Sequence, residues 1–113
     1  MKRRRTYMPA TQHALSALGA QIAIRRRELR WTAAELAGRI GVTPQLITRI
    51  EHGAPGTAVG TVFEAAVVCG VPLFGVDPAE RGALASVAEQ ERNRLALLPA
   101  RARRKSVAVD DDF

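Results

Sequence analysis

The sequence predicts an all-α fold, and three observations predict it. Helix formers dominate, and β-branched residues do not alternate over any long run. Apolar residues recur instead at spacings of three and four, the period of a helix that buries one face. Between Thr32 and Gly53 two such patterns, each opened by a capping residue, are joined at a glycine. At 113 residues, 47% of them apolar, the chain makes one small domain with tails and a modest core. Aromatics are few (Tyr7, Trp31, Phe63, Phe74 and Phe113), so Leu, Ile, Val and Ala must fill the interior. Chains this short gain stability readily from oligomerisation.

Residues 1–13 read as a basic N-terminal arm, with Lys2, Arg3, Arg4 and Arg5 and no acid. Low apolar content from Met1 to Ala10, and a break at Pro9, predict that it is mobile. Such an arm can lie along phosphates or enter a minor groove, or have no role. A first helix is predicted from Thr11, a possible cap, to about Arg30. Leu15, Leu18, Ile22, Arg26 and Leu29 share its inner face. Arg25, Arg26 and Arg27 are successive, so at about 100° per residue they point three ways. Arg26 points toward the core, whereas Arg25 and Arg27 are read as solvated or phosphate-facing.

The stretch TAAELAGRIGVTPQLITRIEHG, Thr32 to Gly53, carries the second and third helices. Thr32 with Glu35 fits a capping box, and Trp31 with Leu36 fits a hydrophobic staple across it. Gly41 suits the left-handed residue that ends one helix, and Val42 can be buried in the turn. Thr43 is a second N-cap, followed by Pro44 at the first helical position, where its missing N–H is not needed. Ile47 and Ile50 point inward, leaving Gln45, Leu46, Thr48 and Arg49 outward. This pattern predicts a helix-turn-helix whose second helix enters a DNA major groove.

The set Leu36-Ala37, Gly41-Val42, Ile47 and Thr48-Arg49-Ile50-Glu51-His52-Gly53 resembles the helix-turn-helix of the phage Cro/repressor, or Xre, superfamily. The resemblance implies a five-helix phage-repressor-like domain over residues 14–76. It also implies that Arg26 pairs with Glu51 as a structural ion pair tying the first helix to the reading helix. Two polar slots of the family pattern are occupied here by Ala33 and Pro44.

After an APGT loop, Ala54 to Thr57, a fourth helix is expected to reach about Cys69. Val59, Val62, Phe63, Ala66 and Cys69 are its buried face. Leu73, Phe74 and Val76 are expected to start a short fifth element. Residues 77–113 are expected to hold a C-terminal helix and a charged flexible tail. Asp77 caps that helix, Pro78 sits at its first position, and it runs to about Leu98, with Gly82 and Glu91 weakening its apolar stripe. Arg101, Arg103, Arg104 and Lys105 then precede Asp110, Asp111, Asp112 and Phe113, an acidic end that could anchor in a partner's pocket.

The net charge of +6 sits in the N-terminal part of the chain: +4 in residues 1–13, +2 in 14–71 and zero beyond. That is the footprint of a polyanion partner. Gln45 is the first candidate for base readout, because its amide matches the adenine edge. Leu46 suits a thymine methyl, Thr48 can reach phosphate or base, and Arg49 reads guanine or clamps phosphate. Thr32, Thr43, Arg25, Arg27, Arg3, Arg4 and Arg5 are candidates for phosphate contact. The expected assembly is a homodimer on an inverted repeat of double-stranded DNA. The small helical domain, basic segment and acidic tail also resemble the antitoxin partners of HipA-type kinase toxins. That resemblance implies a repressor of its own operon that binds a HipA-like kinase. The alternative is a protein-interaction adaptor that does not read DNA.

Other classes find little support in the sequence. His13 and His52 are expected to be far apart, and no phosphate loop or carboxylate pair is present, so an enzyme is not expected. His52 is read as a helix C-cap or a solvated side chain. The single Cys69 has no partner for a disulfide, reads as core, and fits a reducing cytoplasm. No Cys/His cluster, cofactor motif or apolar stretch near the ~20 residues of a membrane span is present.

Overall fold

The computed structural model describes residues 6–101, so Arg3, Arg4, Arg5 and the segment from Asp110 to Phe113 lie outside the described residues. Five helices follow in order: α1 (Pro9–Glu28), α2 (Ala33–Ile40), α3 (Pro44–Glu51), α4 (Val59–Cys69) and α5 (Ala83–Ala96). The described residues contain no strand, only one isolated bridge between Leu73 and Val76.

The first helix begins two residues before the Thr11 expected as its cap. Pro9 is its first residue rather than a break, because a preset φ and a missing N–H suit that position. Its C-terminus closes by a Schellman motif: Arg30 N–H donates to the Arg27 carbonyl and Trp31 N–H to the Arg26 carbonyl, each at 3.0 Å. The left-handed residue there is Arg30, at φ 63°, a conformation that glycine adopts with no Cβ penalty. The Arg30→Gly variant is therefore expected to gain about 0.5–1 kcal/mol and to melt a few degrees higher in a thermal scan. A lower melting temperature would count against strain at this residue.

The core lies where α1 to α4 meet. Ile22 of α1, Leu36 and Ala37 of α2, and Ile47 and Ile50 of α3 are buried there. Val62, Ala65, Ala66 and Cys69 of α4 join them, and Val71 and Leu73 seal the base. Leu18, Trp31, Val42, Leu46 and Phe63 pack half-buried around this cluster. Val59 is not part of the buried face: it stands at the first position of α4, 68% exposed. Leu29, the C-cap of α1, is also exposed.

The expected helical start at Leu73 is instead a tight turn. Leu73 and Val76 exchange backbone hydrogen bonds of 3.0 Å around Phe74 and Gly75, both at positive φ. Positive φ at both central residues is what a two-residue hairpin turn needs, and Gly75 supplies one without a Cβ. The Phe74 ring sits 6.1 Å from that of Phe63 yet remains 72% exposed.

Asp77 does cap a turn, its carboxylate accepting from Ala79 N–H at 2.9 Å. Gly82 at φ 78° interrupts that turn, so the C-terminal helix starts at Ala83. None of the described helices is long and apolar enough to cross a membrane.

Candidate nucleic-acid interface

The α2–turn–α3 unit closes by the local bonds its sequence calls for. Glu35 N–H donates to Thr32 Oγ1 at 3.0 Å and Thr32 N–H to Glu35 Oε1 at 2.7 Å, a complete capping box. Gly41 takes φ 77°, and Val42 N–H returns to the Ala37 carbonyl at 3.0 Å. Leu46 N–H then donates to Thr43 Oγ1 at 3.2 Å, with Pro44 at the first helical position. Both caps thus use the threonine oxygen as acceptor and present exposed helix N-termini. Such termini carry partial positive charge and free N–H groups, which suits phosphate.

On α3, Ile47 and Ile50 are buried, whereas Gln45, Thr48, Arg49 and His52 are exposed. The spacing i, i+3, i+4, i+7 puts these four on one face. Leu46 is not on it: it is half-buried and packs against the core. At about 100° per residue it turns toward the side that Ile47 and Ile50 anchor, so its main contacts are within the protein.

His52 joins the exposed face because its ring is held. Its Nδ1 lies 2.8 Å from the Thr48 carbonyl, an acceptor, so Nδ1 carries the proton and donates. The Thr48 hydroxyl in turn donates to the Pro44 carbonyl at 3.2 Å, leaving its oxygen lone pairs and methyl outward.

What orients this face is a buried ion pair. Arg26 Nε donates to Glu51 Oε2 at 2.6 Å and Arg26 Nη2 to Glu51 Oε1 at 2.9 Å, a bidentate fork. Nη1 donates to the Trp31 carbonyl at 2.8 Å. One guanidinium therefore joins α1, the residue before the α2 cap, and the end of α3. The two side chains are only 10% and 9% exposed. Hydrogen bonding to Glu51 raises the Arg26 pKa, outweighing the opposing effect of burial, so the guanidinium stays charged.

Backbone packing reinforces the tie. Gly19 of α1 lies against α3 so closely that a Cβ there would meet the Ile50 carbonyl oxygen at 2.4 Å. A Cβ on Gly53, just past α3, would meet Ser16 of α1 at 2.7 Å. A single glycine inside the helical pattern of α1 was the only sequence signal for this approach.

The basic residues divide differently from the expectation. Arg25 is engaged within the fold: its Nε donates to the Cys69 carbonyl at 3.1 Å and its Nη1 to Glu28 at 2.7 Å, so it ties α1 to the C-terminus of α4. A carbonyl left over at a helix end attracts a cation in this way. Arg27 is exposed and lines a shallow groove with Ala23, Ile24, Glu51 and His52. Arg39 of α2 lies over the Trp31 ring, 4.0 Å from its centroid.

His13 and His52, expected to be far apart, line one open groove of about 450 Å³ with Tyr7, Gln12 and Ser16. The start of α1 packs beside the end of α3, which spacing along the chain does not reveal. Thr6 and Tyr7, where the arm joins the described residues, line the same groove. Cys69 is buried, and burial, then the nearby Glu51 carboxylate, push its thiol pKa up, which disfavours the reactive thiolate. The described residues hold no cluster of three or more side chains suited to a metal ion.

Comparison with known proteins gives a family and no near relative: no curated protein and no solved structure matches the chain. Residues 17–84, well over half of its length, match the family described as the helix-turn-helix domain. That span takes in the capped α2–turn–α3 unit, its Arg26–Glu51 tie and the α4 support, and the chain belongs to the helix-turn-helix domain family.

Proposed function

We propose that the chain is a sequence-specific DNA-binding transcriptional regulator, a repressor, that reads its operator with the exposed face of α3. The observation that carries this reading is the face itself. Gln45, Thr48, Arg49 and His52 stand out together, none is acidic, and the adjacent Glu51 is engaged by Arg26. Gln45 supplies the bidentate adenine contact, Thr48 accepts from a base or meets a methyl, and Arg49 reads guanine or clamps phosphate. Thr32, Thr43, Arg27 and the arm with Arg3, Arg4 and Arg5 position the duplex through phosphates. Two copies bind an inverted repeat with half-sites about 34 Å apart, one turn of DNA.

The test is a mobility shift on the DNA upstream of the gene, followed by footprinting. The Gln45→Ala variant is expected to lose about 1–3 kcal/mol, roughly 5- to 150-fold, on its operator while its affinity for random DNA stays level. Wild-type affinity should fall steeply with salt, with a slope near −0.9 per neutralised phosphate. An adaptor that uses the fold without DNA shows no specific shift, and that result would overturn the proposal. The finer antitoxin reading draws on the acidic end from Asp110 to Phe113. Co-purification with a HipA-like kinase encoded beside the gene tests it, and separate elution of the two proteins would sink it.

A further inference from the structure

We propose that the groove between the start of α1 and the end of α3 is a phosphate site, in which His13 and His52 hold a phosphodiester of the DNA backbone as imidazolium ions, so that the chain takes up protons when it binds DNA. It rests on the DNA reading above, to which it adds a contact and a pH dependence that Gln45, Thr48 and Arg49 do not supply.

The bonding of His52 creates the linkage. Its Nδ1 donates to the Thr48 carbonyl at 2.8 Å, so in the neutral ring the one proton sits on Nδ1 and Nε2 presents a lone pair. A lone pair repels a phosphate oxygen. Moving the proton to Nε2 would instead set a lone pair of Nδ1 against the Thr48 carbonyl. Nε2 therefore donates to phosphate only after the ring takes a second proton, a change that imidazole makes between about pH 5 and 8. Among the described residues nothing else bonds to the His52 ring, and His13 has no hydrogen bond or ion pair. Both rings are exposed.

The groove suits an anion. Tyr7, Gln12 and Ser16 line it with the two histidines, and no lining residue is acidic. The first acid of the chain is Glu28. Gln12 Nε2 donates to the Tyr7 carbonyl at 2.8 Å, which holds the chain before α1 against the helix. The two walls are kept in register where Gly53 packs on Ser16. On the other side of His52 stand Arg27 and Glu51, and one turn earlier on α3 the exposed Arg49. Glu51 is held in the fork with Arg26, so no unpaired carboxylate among these groups competes with phosphate.

The position suits a backbone phosphate. Gln45 to His52 spans about 10 Å along α3, against a major groove about 12 Å wide. A helix that sets Gln45 against a base edge carries His52 to the rim of that groove, where the phosphates run. The family match begins at residue 17, so the wall built by Tyr7, Gln12, His13 and Ser16 lies before the matched span.

The experiment is fluorescence anisotropy of the full chain with two labelled duplexes, the upstream DNA and a scrambled sequence, from about pH 6 to about pH 8 at constant ionic strength. A phosphate contact is blind to sequence, so both duplexes report it. Phosphate holds the added proton more tightly than water does, so the gain in affinity is complete below the pKa of the unbound ring and lost as pH rises through that of the complex. Affinity should therefore rise about tenfold or more from the alkaline to the acid end. His13→Gln and His52→Gln should each flatten this slope. The chain has two histidines, so the double variant removes every imidazole and should bind equally across the range. His52→Arg, charged throughout, should bind more tightly than the wild type at the alkaline end. Both positions are exposed, so the variants should fold, which Trp31 fluorescence checks. A wild type without a slope, or a slope that survives in the double variant, would overturn the proposal and leave the DNA reading standing. The expected slope with equal affinity for both duplexes would support the site and remove the sequence-specific reading instead. A chain that binds neither duplex overturns both. Inorganic phosphate in place of chloride, at equal ionic strength, should leave the isotherms unchanged; displacement of the duplex would overturn the proposal by assigning the groove to a free anion.

Discussion

The Glu51→Ala variant is expected to lose about 3–5 kcal/mol of stability in urea or thermal unfolding, a large part of the ~5–15 kcal/mol available to a small domain. The loss comes less from the attraction removed than from the charge left behind. Arg26 stays about nine-tenths buried with Nε and Nη2 lacking an acceptor, and only the Trp31 carbonyl still satisfies Nη1. A guanidinium is not deprotonated inside a protein, so it will not escape by releasing its proton. The intact pair need not be strongly stabilising, since desolvation of two ions offsets much of their attraction. A double variant, Arg26→Met with Glu51→Leu, should therefore be far closer to wild type than Glu51→Ala alone. The coupling in that cycle measures the interaction itself. A single-variant loss below about 1 kcal/mol would show that water reaches the guanidinium and that the tie is dispensable.

The same pair shows what the sequence could and could not carry. Caps and turns were legible because each depends on residues at most a few positions apart: Thr32 with Glu35, Thr43 before Pro44, Gly41 after Ile40. Helical periodicity likewise placed Ile22, Leu36, Ile47, Ile50, Val62 and Ala66 inside. The Arg26–Glu51 pairing spans 25 residues, and periodicity alone says only that Arg26 faces inward; its partner was suggested by family resemblance. What stayed hidden was tertiary. Arg25 carries no sequence sign that the Cys69 carbonyl is its partner. Leu46 looked exposed because outward and half-buried positions differ by a single step of rotation. His13 and His52 line one groove because the end of α3 packs beside the start of α1. The turn at Phe74 and Gly75 ran against a resemblance to a five-helix plan, and glycine at positive φ with prolines nearby on both sides favoured the turn.

The Gly19→Ala variant puts two principles in direct opposition. Glycine inside a helix costs roughly 1 kcal/mol relative to alanine, so local propensity predicts that the substitution stabilises α1. Packing predicts the reverse. The added Cβ would lie 2.4 Å from the Ile50 carbonyl oxygen and 2.7 Å from that of Glu51, and both are backbone atoms that no rotamer change can move. Relief requires α1 and the end of α3 to separate, which also pulls on the Arg26–Glu51 fork and shifts the face that carries His52 and Arg49. Overpacking of this kind costs typically about 1–3 kcal/mol and occasionally more; here the clash is with rigid backbone and drags an ion pair with it, so a net loss of about 2–3 kcal/mol is expected. Gly38 of α2 is the internal control, since nothing lies within 4 Å of its added Cβ. Gly38→Ala should gain up to about 1 kcal/mol through propensity alone. Thermal melts of the two variants should therefore move in opposite directions, and at temperatures where Gly19→Ala remains folded its DNA affinity should still fall. Equal stabilisation of both would mean that α1 and α3 have room to part, and that α3 is not held by this contact.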